Sequence, residues 1–135
     1  MKNILKNIAA LFIGTFIGGS VNMGIVMISD SVVALPEGIN PADMESLVAN
    51  FHLFEPINFL MPFLAHAMGT LVGAFIAAKI AATHKLYFGL SIGVLFLTGG
   101  IQMANLLPAP LWFDVLDLGF AYIPMGFLGY RLAKC

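Results

Sequence analysis

Pro56 to Ala78 reads PINFLMPFLAHAMGTLVGAFIAA, an uncharged run in which only Asn58, His66 and Thr70 interrupt the apolar character. It exceeds the roughly 20 residues that an α-helix needs to cross the hydrocarbon of a bilayer. Two further uncharged runs flank it, Asn7 to Ser29 and Leu86 to Phe113. A fourth, Leu118 to Tyr130, is too short alone and spans only when extended back to Trp112, which takes Asp114 and Asp117 into its start. Composition agrees: 60% of the residues are hydrophobic, 10% are charged, and mean hydropathy is +0.96, well outside the range of soluble domains. The expected fold is all-α, a single polytopic membrane domain with transmembrane helices over about 5–28, 57–82, 86–107 and 111–133.

One long stretch suits water. Pro36 to Glu55, PEGINPADMESLVANFHLFE, holds four of the seven acids. Pro36 and Gly38 predict a turn, and Asn40 followed by Pro41 and Asp43 predicts a helix start. Met44, Leu47, Val48, Phe51 and Phe54 then recur at helical spacing, opposite Glu45, Ser46, Ala49 and Asn50. This pattern fits a short amphipathic helix on the membrane surface or over the mouth of the bundle, ended by Pro56.

The charges are completely segregated. Lys2, Lys6, Lys79, Lys85, Arg131 and Lys134 fall at the N-terminus, the second connection and the C-terminus, while Asp30, Glu37, Asp43, Glu45, Glu55, Asp114 and Asp117 fall in the first and third connections. The positive-inside rule then puts both termini in the cytoplasm and the acidic loops outside. Helix dipoles do not explain the arrangement, since Lys2 and Lys6 precede the positive end of the first helix and Asp30 follows its negative end. MKNILKN before an apolar run resembles a secretory signal, but the run is longer than a signal core and no A-x-A site follows, so an uncleaved first helix is expected. A single cysteine, Cys135, allows no internal disulfide. An isoelectric point near 6.2 with no basic stretch excludes nucleic-acid binding.

Small residues mark the helix contacts. Ala10, Gly14, Gly18 and Asn22 recur every fourth residue on the first helix, and Ala65, Gly69, Gly73 and Ala77 do so on the second. Such faces let two backbones approach closely enough for dispersion to hold them, within the bundle or between copies. Pro62 is expected to kink the second helix and Pro124 to bend the fourth. GSVNM at Gly19 to Met23 and GGIQM at Gly99 to Met103 align faintly, as a two-helix repeat would.

Polar groups inside the spans are the functional candidates, because an unpaired one costs several kcal/mol in hydrocarbon. At about 1.5 Å per residue, Asn22, Gln102 and Asp117 lie roughly 9 Å inside the outer boundary and His66 roughly 15 Å inside it. They predict a polar vestibule open to the outside, with His66 on its floor and Asp117 and Asp114 on its wall. Histidine suits such a floor because imidazole can act as a ligand or proton carrier near neutral pH. Each has a bland reading too: Asn22 and Gln102 as interhelical hydrogen bonds, Asp114 and Asp117 as complements to a helix dipole, His66 as a satisfied buried side chain. No metal is expected, since His52, Glu45, Glu55 and His66 lack ligand spacing, and no nucleophile motif is present.

Pro36 to Leu47 (PEGINPADMESL), His66 to Ala81 (HAMGTLVGAFIAAKIA) and Pro108 to Ala133 (PAPLWFDVLDLGFAYIPMGFLGYRLA) together resemble a family of small four-helix bacterial inner-membrane proteins without an established activity. The resemblance implies four spans and a bacterial inner membrane, and carries no activity, cofactor or site residue. The expected function is therefore binding or transport of a small solute or cation by a homo-oligomer in the lipid bilayer. The alternatives are a non-catalytic subunit of a larger membrane complex, and an interfacial enzyme using Glu37, Asp43, Glu45 and Glu55. Enzyme activity is the less favoured of these, and no cofactor is expected.

Overall fold

The computed structural model describes residues Met1–Cys135 and is all-α. Its helices are α1 (Lys2–Val32), α2 (Met44–Asn50), α3 (Leu60–Ile80), α4 (Lys85–Leu106), α5 (Leu111–Phe120) and α6 (Ile123–Lys134), with 3-10 turns at Phe51–Leu53 and Pro56–Phe59. Four stretches are long and apolar enough to cross a membrane: Lys2–Val32, Pro56–Ile80, Lys85–Leu106 and Leu111–Lys134. The short helix α2 lies between the first two, as the sequence leads one to expect.

Helix α3 is the hub. It packs on α1, α4 and α6, and 44% of its spanning window is buried against 11% for α1. Its small residues explain why. A methyl group placed on Gly14 would come within 2.7 Å of the Gly73 carbonyl oxygen, and one on Gly69 within 2.8 Å of the Gly18 oxygen. Gly14 and Gly18 of α1 therefore cross Gly69 and Gly73 of α3 inside one copy of the chain, backbone to backbone. A second close crossing joins α4 to α6, where a methyl on Gly89 would meet the Gly126 oxygen at 3.0 Å. On α6, Gly129 lies equally close to the backbone of α3 at Leu71. In lipid, where burying apolar surface gains little, such contacts supply the dispersion energy that holds helices together.

Near the basic end Asn7 ties α1 to the α3–α4 turn, accepting from the Ala82 amide at 2.9 Å and donating to Thr83 Oγ1 at 3.0 Å. Helices α1 and α4 start at this end and α3 and α6 finish there, so all six lysines and arginines cluster at one end of the bundle and the acids toward the other.

Three local features differ from the sequence expectation. The fourth span is not one bent helix but two, broken at Ala121 and Tyr122. Pro124 stands at the start of α6, where its missing N–H leaves the Phe120 carbonyl without the usual donor. Helix α2 begins three residues late: Asn40 Oδ1 accepts from the Ala42 amide at 3.0 Å in a local turn, and Asp43 becomes the cap, accepting from Glu45 at 3.1 Å. Pro62 falls in the first turn of α3, just after the 3-10 segment, so the strain of a mid-helix kink is avoided by a change of helix type. The turn at Pro36 forms as expected, with Gly38 at φ 85°.

Candidate functional site

Close glycine packing stops about halfway along α3. Toward the acidic end the helices diverge, and the gap is a cavity of about 170 Å³. Space of roughly 150 Å³ is enough to take a benzene ring. The cavity is lined by the end of α1 (Val26, Ser29), the loop and α2 (Leu35, Pro41, Leu47), the start of α3, the end of α4 and α5. Pro36 to Glu55 thus contributes its roof.

The wall is not the polar one expected from the sequence. Most of the lining side chains are hydrophobic, and four are phenylalanines: Phe51, Phe54, Phe59 and Phe113. These rings brace one another. Phe51 stacks on Phe54 with centroids 4.4 Å apart, and Phe59 meets Phe113 at 4.7 Å. Offset and edge-on ring contacts add about 0.5–1.5 kcal/mol each beyond burial. The physical cause of the apolar wall is the amphipathic stripe of the loop, whose Leu47 and Phe51 turn inward while Glu45 stays exposed. Buried Asn58 holds this roof in place. Its Oδ1 accepts from the Glu55 amide at 2.8 Å and its Nδ2 donates to the Ala34 carbonyl at 3.1 Å, joining the exit of α1 to the entry of α3.

Polarity is concentrated on the floor. His66 of α3 directs Nδ1 at both oxygens of Asp117 of α5, 2.9 and 3.0 Å away. Tyr122, in the break between α5 and α6, donates its hydroxyl to Asp117 Oδ2 at 3.0 Å and stacks on the imidazole at 5.7 Å. The ring fits because Gly100 faces it; a methyl group there would overlap the phenol. Asp117 and Tyr122 are buried, while His66 and Asp117 both line the cavity. A carboxylate that accepts from both neighbours fixes a proton on Nδ1, leaving Nε2 without a protein partner. That nitrogen accepts a hydrogen bond when the ring is neutral and donates one when it is charged. Thr70, beside His66, spends its hydroxyl on the His66 carbonyl at 2.8 Å.

Asp114 lies one turn before Asp117, lines the cavity, and its carboxyl group has no hydrogen bond or ion pair. The other two candidates stand apart. Asn22 packs its Cβ against Gly69 at the α1–α3 crossing, and its Oδ1 is buried without a partner. Gln102 is exposed on α4, whose contribution to the cavity comes from Gly100, Met103 and Ala104, followed by Leu107 just past its end. The faint repeat therefore does not place Asn22 and Gln102 in equivalent surroundings. No three His, Cys, Asp or Glu side chains come together as metal ligands. Glu37, Asp43, Glu45 and Glu55 lie outside the cavity lining.

Sequence reasoning overlooked Tyr122 and Asn58 as site-forming residues. Tyr122 left a signal, a phenol five residues after a buried acid and two before a proline, but the helix break that turns it toward Asp117 was not foreseen. Of the family resemblance, the four long apolar helices are what the structure reproduces, and no protein-family model, curated protein or solved structure matches the chain.

Proposed function

We propose that this small polytopic protein binds a small amphipathic cation in the cavity, as a receptor site or as the first step of moving it across the membrane. The observation that carries the reading is the combination of an unpartnered Asp114 carboxyl with a His66 ring whose Nδ1 is committed to Asp117, both beneath phenylalanine walls. As a carboxylate, Asp114 attracts a cation into a site of low dielectric, and aromatic faces add attraction of about 0.5–2 kcal/mol. His66 Nε2 then offers a directional polar contact that fixes a ligand's orientation. By the positive-inside rule the acidic end faces outward, so the site is loaded from outside the cell, and the bacterial inner membrane is the setting that the sequence resemblance implies.

A single copy offers binding but no path through. Below His66, Thr70, Ala74, Ala77 and Ile92 are fully buried in close contact. Passage in this reading needs the helices to repack or a homo-oligomer to form. The reading as an interfacial enzyme is the poorer fit, because its loop carboxylates lie outside the cavity lining.

The test uses the purified full chain in lipid nanodiscs with benzylamine, chosen for its single ring and charge, against benzyl alcohol and benzoate. Calorimetric titration is expected to rank benzylamine above both others. Asp114→Asn and His66→Ala are each expected to weaken it about tenfold, close to 1.4 kcal/mol. Equal binding of benzoate, or wild-type affinity in both variants, overturns the proposal.

A further inference from the structure

The opposite end of the bundle carries a second, unrelated feature. Two shallow depressions between the start of α4 and the end of α6 share Leu86, Tyr130 and Lys134 and so adjoin in one grooved surface. Lys85 and Arg131 complete its rim, and Leu86 and Phe127 give it an apolar side. None of the three cations has a carboxylate partner, since the only ion pair in the molecule is His66–Asp117. Lys134 Nζ lies 5.5 Å over the Tyr130 ring and the Arg131 guanidinium 6.0 Å over Phe127, so both exposed heads rest beside aromatic residues that line the depressions.

The rule that orients membrane proteins accounts for cations at this end, but not for three of them lining adjoining depressions with an apolar wall. Lysines that only set orientation can stand anywhere on the surface, as Lys2 and Lys6 do on α1, where they line neither depression. A groove that joins positive charge to apolar surface where a spanning helix leaves the bilayer matches the two halves of a phospholipid. We propose that this groove binds an anionic phospholipid, the phosphate among Lys85, Arg131 and Lys134 and an acyl chain along Leu86 and Phe127. The open start of α4, whose cap residue His84 makes no side-chain hydrogen bond to it, adds backbone N–H groups on the same side. This proposal is independent of the cavity at the other end.

The experiment reconstitutes the full chain in nanodiscs of phosphatidylcholine containing phosphatidylglycerol and counts retained lipids by native mass spectrometry. Wild type is expected to keep phosphatidylglycerol in preference to phosphatidylcholine. Each charge removed is expected to lower that preference roughly fivefold, so the triple variant Lys85→Gln, Arg131→Gln, Lys134→Gln retains little. Lys2→Gln with Lys6→Gln removes charge from the same end outside the groove and is expected to retain the lipid. Equal retention by the triple variant, or equal loss in the Lys2 and Lys6 control, overturns the site. Displacement of the lipid by millimolar inorganic phosphate alone would show a site for the free ion, and overturns the lipid assignment. If the triple variant fails to insert, Arg131→Gln carries the same comparison with its expected fivefold loss.

Discussion

The two halves of α3 solve opposite problems with the same backbone. From Gly69 to Ile80 the residues at its crossings are Gly69, Gly73, Ala74 and Ala77, and α1 and α6 press against it until backbones touch. From Pro56 to His66, the 3-10 turn and the first half of α3 carry Asn58, Phe59 and His66, side chains too large for such contact, and these line a cavity. Lipid offers little reward for burying apolar surface, so side-chain size at the crossing, more than hydrophobicity, decides where a bundle closes. A space opened by large residues survives only if something else covers it, and here the loop from Pro36 to Glu55 does.

The sharpest way to break this contrast is to enlarge the closed half. Gly73→Leu drives a side chain into the Gly14 carbonyl and Ile92, and is expected to destabilise the fold by about 3 kcal/mol or more, read by thermal or detergent-induced unfolding. Gly99→Leu, where nothing lies within 4 Å, is the matched control and should leave the melting curve in place. If both melt alike, glycine crossings are not what closes the bundle.

A smaller effect is expected in the open half. Asp117→Ala strands His66 Nδ1 and the Tyr122 hydroxyl, at a cost of about 1–3 kcal/mol. It should also abolish the preference for benzylamine while helix content by circular dichroism is kept. A variant as stable as wild type would show that the three side chains are not coupled. Smallest of all is Gln102→Leu, expected to change stability by less than about 0.5 kcal/mol and ligand affinity not at all. A loss of binding there would extend the cavity to a face of α4 that now looks away from it.

Several features of both halves could be read without the structure. Gly14, Gly18, Gly69 and Gly73 stood out by four-residue spacing, and the crossing they form is local in pattern on each helix. The roof is legible in part: the stripe Leu47, Phe51, Phe54 is plain in the sequence, but its inward turn, which makes the cavity wall apolar, is not. The candidate site separates along the same line. His66, Asp117 and Asp114 converge on the cavity, whereas Asn22 and Gln102, chosen for equal depth, do not. Depth follows from sequence position at a fixed rise per residue; facing direction does not, because it depends on how each helix is rotated against its neighbours.

The sequence by itself determined that this chain is four long apolar helices with a short helix between the first two, and that its charges are segregated along the chain. Both are sums over local properties, hydropathy and the position of each charge, and no partner is needed to evaluate them. Only the tertiary structure decided that His66 meets Asp117, 51 positions away, and that Tyr122 joins them. That meeting depends on the break at Ala121 and Tyr122 and on the glycine crossings that fix α3 beside α6. The His66–Asp117 pair and the glycine crossings are contacts between distant segments, set by how side-chain volumes fit once the helices pack, and no short window along the chain contains both partners.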